Sequence, residues 1–235
     1  MIDQLDEAMR LYYHETAAEY EDYWTRHGKF YEPSSNAIFL AQVHELSREV
    51  TYFAASLPHT SGIRALDLAC GTGWWFSHLA RTLPSDAHIV ALDWSSAMLE
   101  MAHSRLLELE LVNGVSLLQG DAYQLPFDSH SFDGVLLSFW LGHVPNDRTA
   151  EFLQEVKRVL RTGGHILVLE SAPFPNQSEE EMQQHEFKDG RVRGILKIRY
   201  SPERLKLLLE EVAGVGKASA RLTTRELFVM GWAQL

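Results

Sequence analysis

Ala65-Leu66-Asp67-Leu68-Ala69-Cys70-Gly71-Thr72-Gly73-Trp74 is the stretch that decides the fold of this 235-residue chain. It lies in an almost unbroken apolar run from Ile63 to Leu68, which is typical of a strand buried on both faces of a parallel sheet. Gly71 and Gly73 follow, where the backbone must bend sharply and a ligand can approach closely. Apolar residues then recur at helical spacing from Trp75, so the turn opens a helix whose N-terminal amides point towards a bound group. A strand, a Gly-x-Gly turn and a helix together indicate a nucleotide-type site.

The turn does not complete the dinucleotide fingerprint Gly-x-Gly-x-x-Gly. Phe76 stands three residues after Gly73, where that fingerprint needs Gly or Ala for close packing around a pyrophosphate. Asp67, before the turn, suits a ligand that carries an ammonium better than one that carries two phosphates. The stretch instead resembles motif I of the class I S-adenosylmethionine (SAM)-dependent methyltransferases, Asp/Glu-x-Gly-x-Gly-x-Gly, with Ala69 in place of the first glycine.

Composition limits the class of protein. The length fits one α/β domain, and 46% apolar residues can fill its core. A net charge of −11 argues against nucleic acid or an anionic membrane as a partner, because both bind a basic face. No run of about eighteen apolar residues occurs, and the acidic residues 1–4 are unlike a signal peptide, so we expect a cytoplasmic protein. The single cysteine, Cys70, excludes an internal disulfide and a multi-cysteine site, and no metal is expected.

The N-terminal part predicts helices outside the sheet. Residues 1–28 form an aromatic-rich amphipathic pattern, typical of one or two short helices that act as a brace or as a lid. Apolar residues at alternating spacings of four and three predict a helix over residues 36–57, capped by Ser34 or Ser35.

Strands and helices alternate after the turn. The predicted strands are 88–93, 115–119, 132–138 and 166–169, and the intervening helices are capped by Ser95 or Ser96 and by Asn146 or Asp147. Such repeated units imply a parallel sheet that binds ligands at the carboxyl ends of its strands.

The pattern changes beyond Glu170. Apolar residues show no regular spacing over residues 172–184, which predicts a loop. Residues 192–198 predict a strand or extended segment. Ser201 as the cap and Pro202 at the first helical position predict a helix that Gly214 ends, and 217–223 with 226–232 predict a hairpin.

The resemblance implies an α/β, Rossmann-like class I methyltransferase fold. We expect a mostly parallel seven-stranded sheet with a C-terminal antiparallel hairpin and an N-terminal helical lid. The chain is predicted to be a single methyltransferase domain over 1–235. Its parts are the N-terminal helices or lid (1–57), the SAM-binding core (62–170), an acceptor-side insertion (172–200) and the final helix and hairpin (201–235).

Further stretches support SAM as the cofactor. Asp93 ends the second strand, where a carboxylate can accept both ribose hydroxyls. Asp93-Trp94-Ser95-Ser96-Ala97-Met98-Leu99 resembles the Asp-x-Ser-x-x-Met-Leu of small-molecule methyltransferases, which implies that Trp94 and Met98 flank the adenine; Met98 as helix core is the alternative. Gly120-Asp121-Ala122 resembles the motif whose acid accepts the adenine amino hydrogens, and a turn acid that caps a short helix is the alternative. The predicted contacts to SAM, or to the product S-adenosylhomocysteine (SAH), are Tyr13, Tyr20, Asp67, Ala69, Gly71, Gly73, Asp93, Trp94, Met98, Asp121, Ala122 and Ser138.

The methyl acceptor leaves a weaker trace in the sequence. Methyl transfer from a sulfonium is an in-line displacement, in which the enzyme mainly aligns the reacting groups and removes a proton where needed. The Asn-Pro-Pro-Tyr type of motif is absent at the fourth strand, where residues 138–145 stand instead. His143 in this loop is the predicted catalytic residue, because an imidazole can titrate near neutrality; a structural histidine is the alternative.

Two segments narrow the resemblance. Residues 12–20 and 139–148, together with Asp189-Gly190-Arg191 through Lys197, are similar to a bacterial subgroup that includes the dehydrophos-pathway phosphonate O-methyltransferase. An arginine and a lysine near the site suit an anionic acceptor such as a phosphonate, phosphate or carboxylate, and a solvated strand face is the alternative. The predicted acceptor contacts are Tyr31, Trp140, His143, Arg191 and Lys197.

The predicted function is SAM-dependent methylation of a small molecule, with O-methylation of an anionic or hydroxylated metabolite as the first choice. N- or C-methylation of a small metabolite, and a SAM-binding protein without transferase activity, remain open. An NAD-dependent enzyme is the least favoured interpretation. The expected partner is the small-molecule acceptor, with neither nucleic acid nor membrane, and the protein is expected to be a monomer or homodimer.

Overall fold

The structure is a computed structural model of the protein, and it describes residues 2–58, 62–111, 114–175 and 177–235. The helices are α1 (Ile2–Thr16), α2 (Tyr20–Thr25), α3 (Asn36–Ser56), α4 (Phe76–Thr82), α5 (Ser96–Glu108), α6 (Thr149–Val159) and α7 (Pro202–Ala213). The strands are β1 (Arg64–Leu68), β2 (His88–Asp93), β3 (Val115–Gln119), β4 (Phe132–Ser138), β5 (Leu160–Ser171), β6 (Glu180–Glu186), β7 (Val192–Ile198), β8 (Ala218–Leu222) and β9 (Phe228–Gln234). Short 3₁₀ turns cover Ala17–Glu19, Gly28–Phe30 and Leu141–His143.

The main sheet has the strand order β3-β2-β1-β4-β5-β9-β8. Strands β1 to β5 run parallel, β9 pairs antiparallel with β5, and β8 pairs antiparallel with β9. The predicted mostly parallel seven-stranded sheet with a C-terminal antiparallel hairpin is therefore confirmed. Because β1 lies between β2 and β4, the strand order reverses there, and a crevice opens at the carboxyl ends of these strands. The glycine loop that follows β1 lies at this crevice.

Two apolar layers cover the sheet, one on each face, because successive residues of a strand point to opposite sides. Leu66 and Leu68 belong to the layer that includes α6 and α7. Ala65 belongs to the layer that includes α3, α4 and α5. Both layers are buried, which explains why the central strands read as continuous apolar runs. Among the helices of the described residues, none is long and apolar enough to cross a bilayer.

Local signals predicted some helix starts and missed another. The Ser95 hydroxyl accepts the Met98 amide at 3.2 Å, and the Ser201 hydroxyl accepts the Arg204 amide at 3.2 Å, so both predicted caps are confirmed. The predicted cap of α6 at Asn146 or Asp147 is wrong, since Arg148 occupies that position without a side-chain cap bond.

The region after β4 also differs from the prediction in extent. Strand β5 covers residues 160–171 rather than the predicted 166–169, because β9 pairs with residues 165–171 and Phe132 of β4 already pairs with Leu160. The predicted loop over 172–184 is wrong for its last part, where β6 forms and pairs antiparallel with β7. Both faces of β6 are mostly exposed, so its sequence carries no alternation of apolar and polar residues. The β6–β7 hairpin is a separate two-stranded sheet.

Candidate functional site

A narrow cleft runs along the carboxyl ends of β1, β2 and β4 and is covered by α1 and the start of α2. Its volume is about 60 Å³. Most of the residues predicted to contact SAM line this cleft: Tyr13, Tyr20, Ala69, Gly71, Asp93, Trp94, Asp121, Ala122 and Ser138. The structure therefore brings together side chains from five separate parts of the chain, while Asp67, Gly73 and Met98 do not line the cleft.

The loop after β1 adopts left-handed backbone conformations, with φ of +58° at Ala69, +55° at Gly71 and +79° at Gly73. A residue with a Cβ is strained in this region, which explains why the related motif carries glycine where this chain has Ala69. At Gly71 a Cβ would meet only the Tyr20 ring, at 3.9 Å, so the backbone here is open towards the cleft. The loop can thus receive a closely approaching ligand.

Gly73 serves packing rather than the cleft. A Cβ at this position would overlap the Phe76 ring, and it would also lie 3.3 Å from Ala102 Cβ. Phe76 is the residue that departs from the dinucleotide fingerprint, and its ring occupies the space beside the turn. Gly73 does not line the cleft, and its predicted contact with the cofactor stays a prediction.

Asp93 at the end of β2 holds the loop in place. Its Oδ2 accepts the Gly71 amide at 2.8 Å, and its Oδ1 accepts the Ser95 amide at 2.8 Å. Burial raises the pKa of the carboxyl to about 6. Each carboxylate oxygen has a further lone pair, so Asp93 can accept ribose hydroxyls without giving up these amides.

Asp67 is fully buried behind the loop, and neither of its carboxyl oxygens has a hydrogen-bond partner among the described residues. Burial and, second, the nearby Asp93 raise the pKa of this carboxyl well above its usual range. A buried acid without a partner is costly, and a cation nearby would stabilise its charged form. The ammonium of SAM supplies such a cation, so the residues around the loop fit this cofactor.

Arg10 of α1 lies over the region predicted for adenine. Its guanidinium carbon is 3.3 Å from the centroid of the Trp94 ring, and its Nη2 is 2.9 Å from Asp121 Oδ2. Asp121 Oδ1 accepts the Tyr123 amide at 2.9 Å, as expected of an acid in a turn. No sequence pattern indicated the contact of Arg10 with Asp121, since the two residues are 111 positions apart. Met98 is buried in the helix core, in agreement with the alternative stated for it.

A second cavity of about 180 Å³ adjoins the cleft. Tyr13, Tyr20 and Phe139 line both spaces. Phe139 follows β4 with a left-handed φ of +57°, a strained conformation for a side chain of this size. The other lining residues come from the N-terminal elements, the 3₁₀ turn after β4, β5, β6 and β7: Tyr12, Thr16, Glu19, Tyr23, Trp24, Phe30, His143, Ser171, Gln183, His185, Ile195 and Lys197.

His143 lies in this second cavity with one nitrogen already engaged. Its Nδ1 is 2.6 Å from the Leu196 carbonyl oxygen, so Nδ1 carries the hydrogen and Nε2 retains a free lone pair. Burial and, second, the charge of Lys197 lower the pKa of the imidazole to about 3. The prediction that His143 titrates near neutrality is therefore corrected: the ring is neutral at physiological pH and offers a hydrogen-bond acceptor.

Glu170, which the sequence did not single out, stands behind Lys197. The carboxyl is fully buried at the end of β5, where Oε1 accepts the Gly142 amide at 2.8 Å and Oε2 accepts the Ser171 amide at 3.2 Å. Lys197 Nζ lies 3.9 Å from Glu170 Oε2, and burial lowers the pKa of this lysine. The signal that could have found Glu170 is its position, as the first acid after the apolar run of β5.

The structure places two predicted acceptor contacts elsewhere. Arg191 is about half exposed and binds Glu15 and Asp189, so it connects the β6–β7 hairpin to α1 and lines neither cavity. Tyr31 is 62% exposed and lines neither cavity. Trp140 lines the cleft rather than the second cavity. Within the described residues, no group of three or more His, Cys, Asp or Glu is arranged to hold a metal ion.

Comparison with known proteins identifies the central part of the chain. Residues 65–164 match the family described as methyltransferase domain. The demethylmenaquinone methyltransferase of Lactococcus lactis subsp. lactis (strain IL1403) is 36% identical over 137 residues, which are 58% of this chain and 52% of that protein. The enzyme of the same name from Staphylococcus aureus (strain MRSA252) is 39% identical over 111 residues, 47% of this chain and 44% of that protein. The chain thus spans about half the length of the curated relatives it matches.

Solved structures extend the likeness to the whole fold. A structure described as a DhpI-SAH complex is 25% identical to this chain, with a TM-score of 0.68 over 97% of this chain and 95% of that one. The [4+2]-cyclase SpnF is 17% identical with a TM-score of 0.60 over 80% of each chain, which shows the shared fold alone. The fold is the Rossmann-like fold of class I methyltransferases, and SAM is its cofactor.

Proposed function

We propose that this chain, in which residues 65–164 are a SAM-dependent methyltransferase domain, transfers a methyl group to a small molecule held in the second cavity. The observation that carries the proposal is that the two spaces lie side by side and share three lining residues, Tyr13, Tyr20 and Phe139. A methyl group at their junction lies within reach of an acceptor. Residues on both sides align the reacting groups and exclude water.

On the cofactor side, the proposed roles follow from position and hydrogen-bonding capacity. Asp93 accepts the ribose hydroxyls, and Trp94 with Asp121 recognises the adenine. The open backbone at Gly71 faces the amino-acid part of SAM, and the charge of Asp67 balances its ammonium. These assignments require Arg10 to leave the Trp94 ring or to shift over it when the cofactor binds.

On the acceptor side, an oxygen nucleophile suits the groups that line the second cavity. SAM supplies an electrophilic methyl group, to which the acceptor oxygen bonds while the carbon–sulfur bond breaks and leaves its electron pair on sulfur. His143 Nε2 accepts a hydrogen bond from the acceptor hydroxyl and orients it before the hydroxyl loses its proton. An imidazole with a pKa of about 3 retains no proton at neutral pH, so the hydroxyl proton leaves to water. Lys197 stabilises negative charge on the acceptor.

We also propose that the acceptor is anionic or hydroxylated and that the chain belongs to the phosphonate O-methyltransferase subgroup. The likeness to DhpI over nearly the whole chain and the single Lys or Arg among the described lining residues, Lys197, support it. A demethylmenaquinone-type acceptor is the second candidate, supported by the names of the relatives. The family match ends at residue 164, before the β6–β7 hairpin that forms part of the cavity.

Calorimetric titration tests the cofactor first. We expect SAH to bind the purified protein and NADH not to bind, and the Asp93→Ala variant to lose about 1–3 kcal/mol of binding free energy for SAH. Formation of SAH from SAM in the presence of candidate acceptors then tests the transfer itself. Binding of NADH alone, or SAH binding that Asp93→Ala leaves unchanged, would contradict the cofactor assignment.

A further inference from the structure

Seven of the fifteen described residues that line the second cavity are Phe, Tyr or Trp. Tyr12, Tyr13 and Tyr20 come from the N-terminal segment, and Phe139 closes the side towards the cleft. The Tyr13 ring stands nearly perpendicular to Tyr12, with centroids 5.0 Å apart, and nearly perpendicular to the His143 ring, with centroids 5.6 Å apart. Such edge-to-face walls favour a flat aromatic guest. The volume of about 180 Å³ suits one substituted ring, since a cavity of about 150 Å³ already holds benzene.

The charges around this space favour a guest with a single negative charge. Among the described residues that line the cavity, Lys197 is the one Lys or Arg, and its side chain is only 12% exposed. Glu170 lies 3.9 Å from the ammonium, beyond hydrogen-bond distance, and its own oxygens accept backbone amides. The ammonium thus keeps donors for a ligand oxygen.

Two carboxyl groups limit how much negative charge the cavity accepts. Glu19 is part of the wall, and Glu170 stands behind Lys197. A dianion would face both of them with one lysine to offset its charge, whereas a monoanion pairs with that lysine. A cationic guest is disfavoured as well, because SAM places a sulfonium at the junction of the two spaces. One buried cation among aromatic walls therefore matches an aromatic ring with one ionised oxygen.

We propose that the acceptor is an aromatic compound with an ionisable ring hydroxyl, which binds as the phenolate with its oxygen at Lys197 Nζ and its ring against the tyrosine walls. The inference rests on the proposed function, because it names the substrate class of the same cavity. The phenol proton passes to the buffer on binding, and the oxygen that remains is the nucleophile.

The test uses 4-nitrophenol, whose ionised form absorbs at longer wavelength than its neutral form. The probe is added to the protein saturated with SAH, at a pH where the free probe is mostly neutral. We expect the phenolate band to grow on binding, and the Lys197→Met variant to lose this growth. Lys188→Met is the matched control, because Lys188 pairs with Asp22 outside the cavity and its loss should leave the band unchanged.

A second variant and a competition series examine the ring. Tyr12 lines only the second cavity, so Tyr12→Leu should weaken probe binding on the order of tenfold and leave SAH affinity unchanged. Phenol should displace the probe at lower concentration than methylphosphonate. A phenolate band that Lys197→Met retains, or stronger displacement by methylphosphonate, would overturn the inference in favour of a different acceptor.

The result separates this inference from the proposed function. A protein that does not bind SAH refutes the cofactor role and the function together. A protein that binds SAH but produces no phenolate band keeps the function and refutes the phenolic acceptor alone. If Lys197→Met fails to bind SAH, then Tyr12→Leu and the order of displacement decide.

Discussion

Asp93 supports the backbone of the glycine loop with the same two oxygens that it is proposed to offer to a ribose. Its hydrogen bonds to the amides of Gly71 and Ser95 connect β2 to the loop after β1. The cofactor site is therefore partly assembled before any ligand arrives. Since hydroxyl groups donate to the ionised carboxylate, the protonation state of this one residue should control cofactor affinity.

We predict that SAH affinity falls as the pH falls through about 6, the raised pKa of Asp93. Above this pH the carboxylate is ionised and binds the ribose. Below it the carboxyl must lose its proton before SAH binds, so the affinity for SAH falls by up to about tenfold for each pH unit. Calorimetric titration from about pH 8 to about pH 5 measures this dependence. Asp93→Asn should bind SAH more weakly at all pH values and show no such fall. A fall that persists in Asp93→Asn would assign the effect to another acid, with Asp67 the first to test.

Glycine replacements separate backbone strain from packing. Gly73→Ala brings a Cβ into the Phe76 ring at a φ of +79°, and we expect it to lower the free energy of unfolding by about 2–5 kcal/mol. Gly163 is the matched control, since its φ is +78° and a Cβ added there would meet no atom within 4 Å. Gly163→Ala should cost only the strain, about 1–2 kcal/mol. Urea unfolding compares the two variants, and equal losses would mean that Phe76 moves aside freely.

Helix α1 joins the two halves of the site. Arg10 contacts Trp94 and Asp121 above the cofactor cleft, and Tyr13, one turn later, separates the cleft from the second cavity. A shift of this single helix would therefore change access to both spaces. We propose α1 as the moving part of the N-terminal lid.

Replacement of Arg10 tests this role. Arg10→Ala should raise the association rate of SAH several-fold, because no guanidinium then covers the Trp94 ring or pairs with Asp121. Arg26→Ala is the control, since Arg26 packs on Phe39 and lies outside the cleft. Stopped-flow fluorescence of the tryptophans measures both rates. Unchanged association with faster dissociation would show instead that Arg10 covers a bound adenine.

The β6–β7 hairpin forms ion pairs with α1. Glu15 of α1 pairs with both Arg191 and Arg193, and Arg193 Nε lies 3.0 Å from Glu15 Oε2. The side chains of both arginines are exposed to solvent by more than a third, so these pairs add little to global stability. Their expected effect is local, on how tightly α1 stays closed.

We predict that Glu15→Gln leaves the urea midpoint nearly unchanged and speeds amide hydrogen exchange in α1. The hairpin loses its ion pairs to the helix, so the helix opens more often. Glu108→Gln, at an exposed position on α5, serves as the control and should change neither quantity. Identical exchange in α1 of the wild type and Glu15→Gln would remove the hairpin from the closure of the site.

In the proposed function, different parts of the chain bind the cofactor and the acceptor. The family match covers residues 65–164, which hold the glycine loop, Asp93 and Asp121. The second cavity adds walls from α1, the start of α2 and the β6–β7 hairpin, outside that range. A fold can therefore retain its cofactor chemistry while its acceptor changes with the outer elements.

The size of the cofactor cleft leads to a prediction for the whole molecule. The free space of the cleft is about 60 Å³ and Arg10 covers the Trp94 ring, so we expect the N-terminal segment to rearrange when SAH enters. Hydrogen exchange with and without SAH should show slower exchange of residues 7–25 in the complex, and strand β8, at the edge of the sheet and outside the lining of both spaces, should stay unchanged. Protection limited to the glycine loop would mean that SAH binds without closure of the lid.

The sequence by itself determined the fold class, the glycine loop and the caps at Ser95 and Ser201. Each of these depends on neighbouring residues: apolar periodicity, a Gly-x-Gly turn, or a hydroxyl three residues before an amide. The tertiary structure alone decided the Arg10–Asp121 pair, the place of Glu170 behind Lys197 and the strand β6. Arg10 and Asp121 are 111 residues apart, so no local pattern relates them. Long-range packing also sets the pKa of a buried group, because burial and the charges that surround it exist only once the chain has folded.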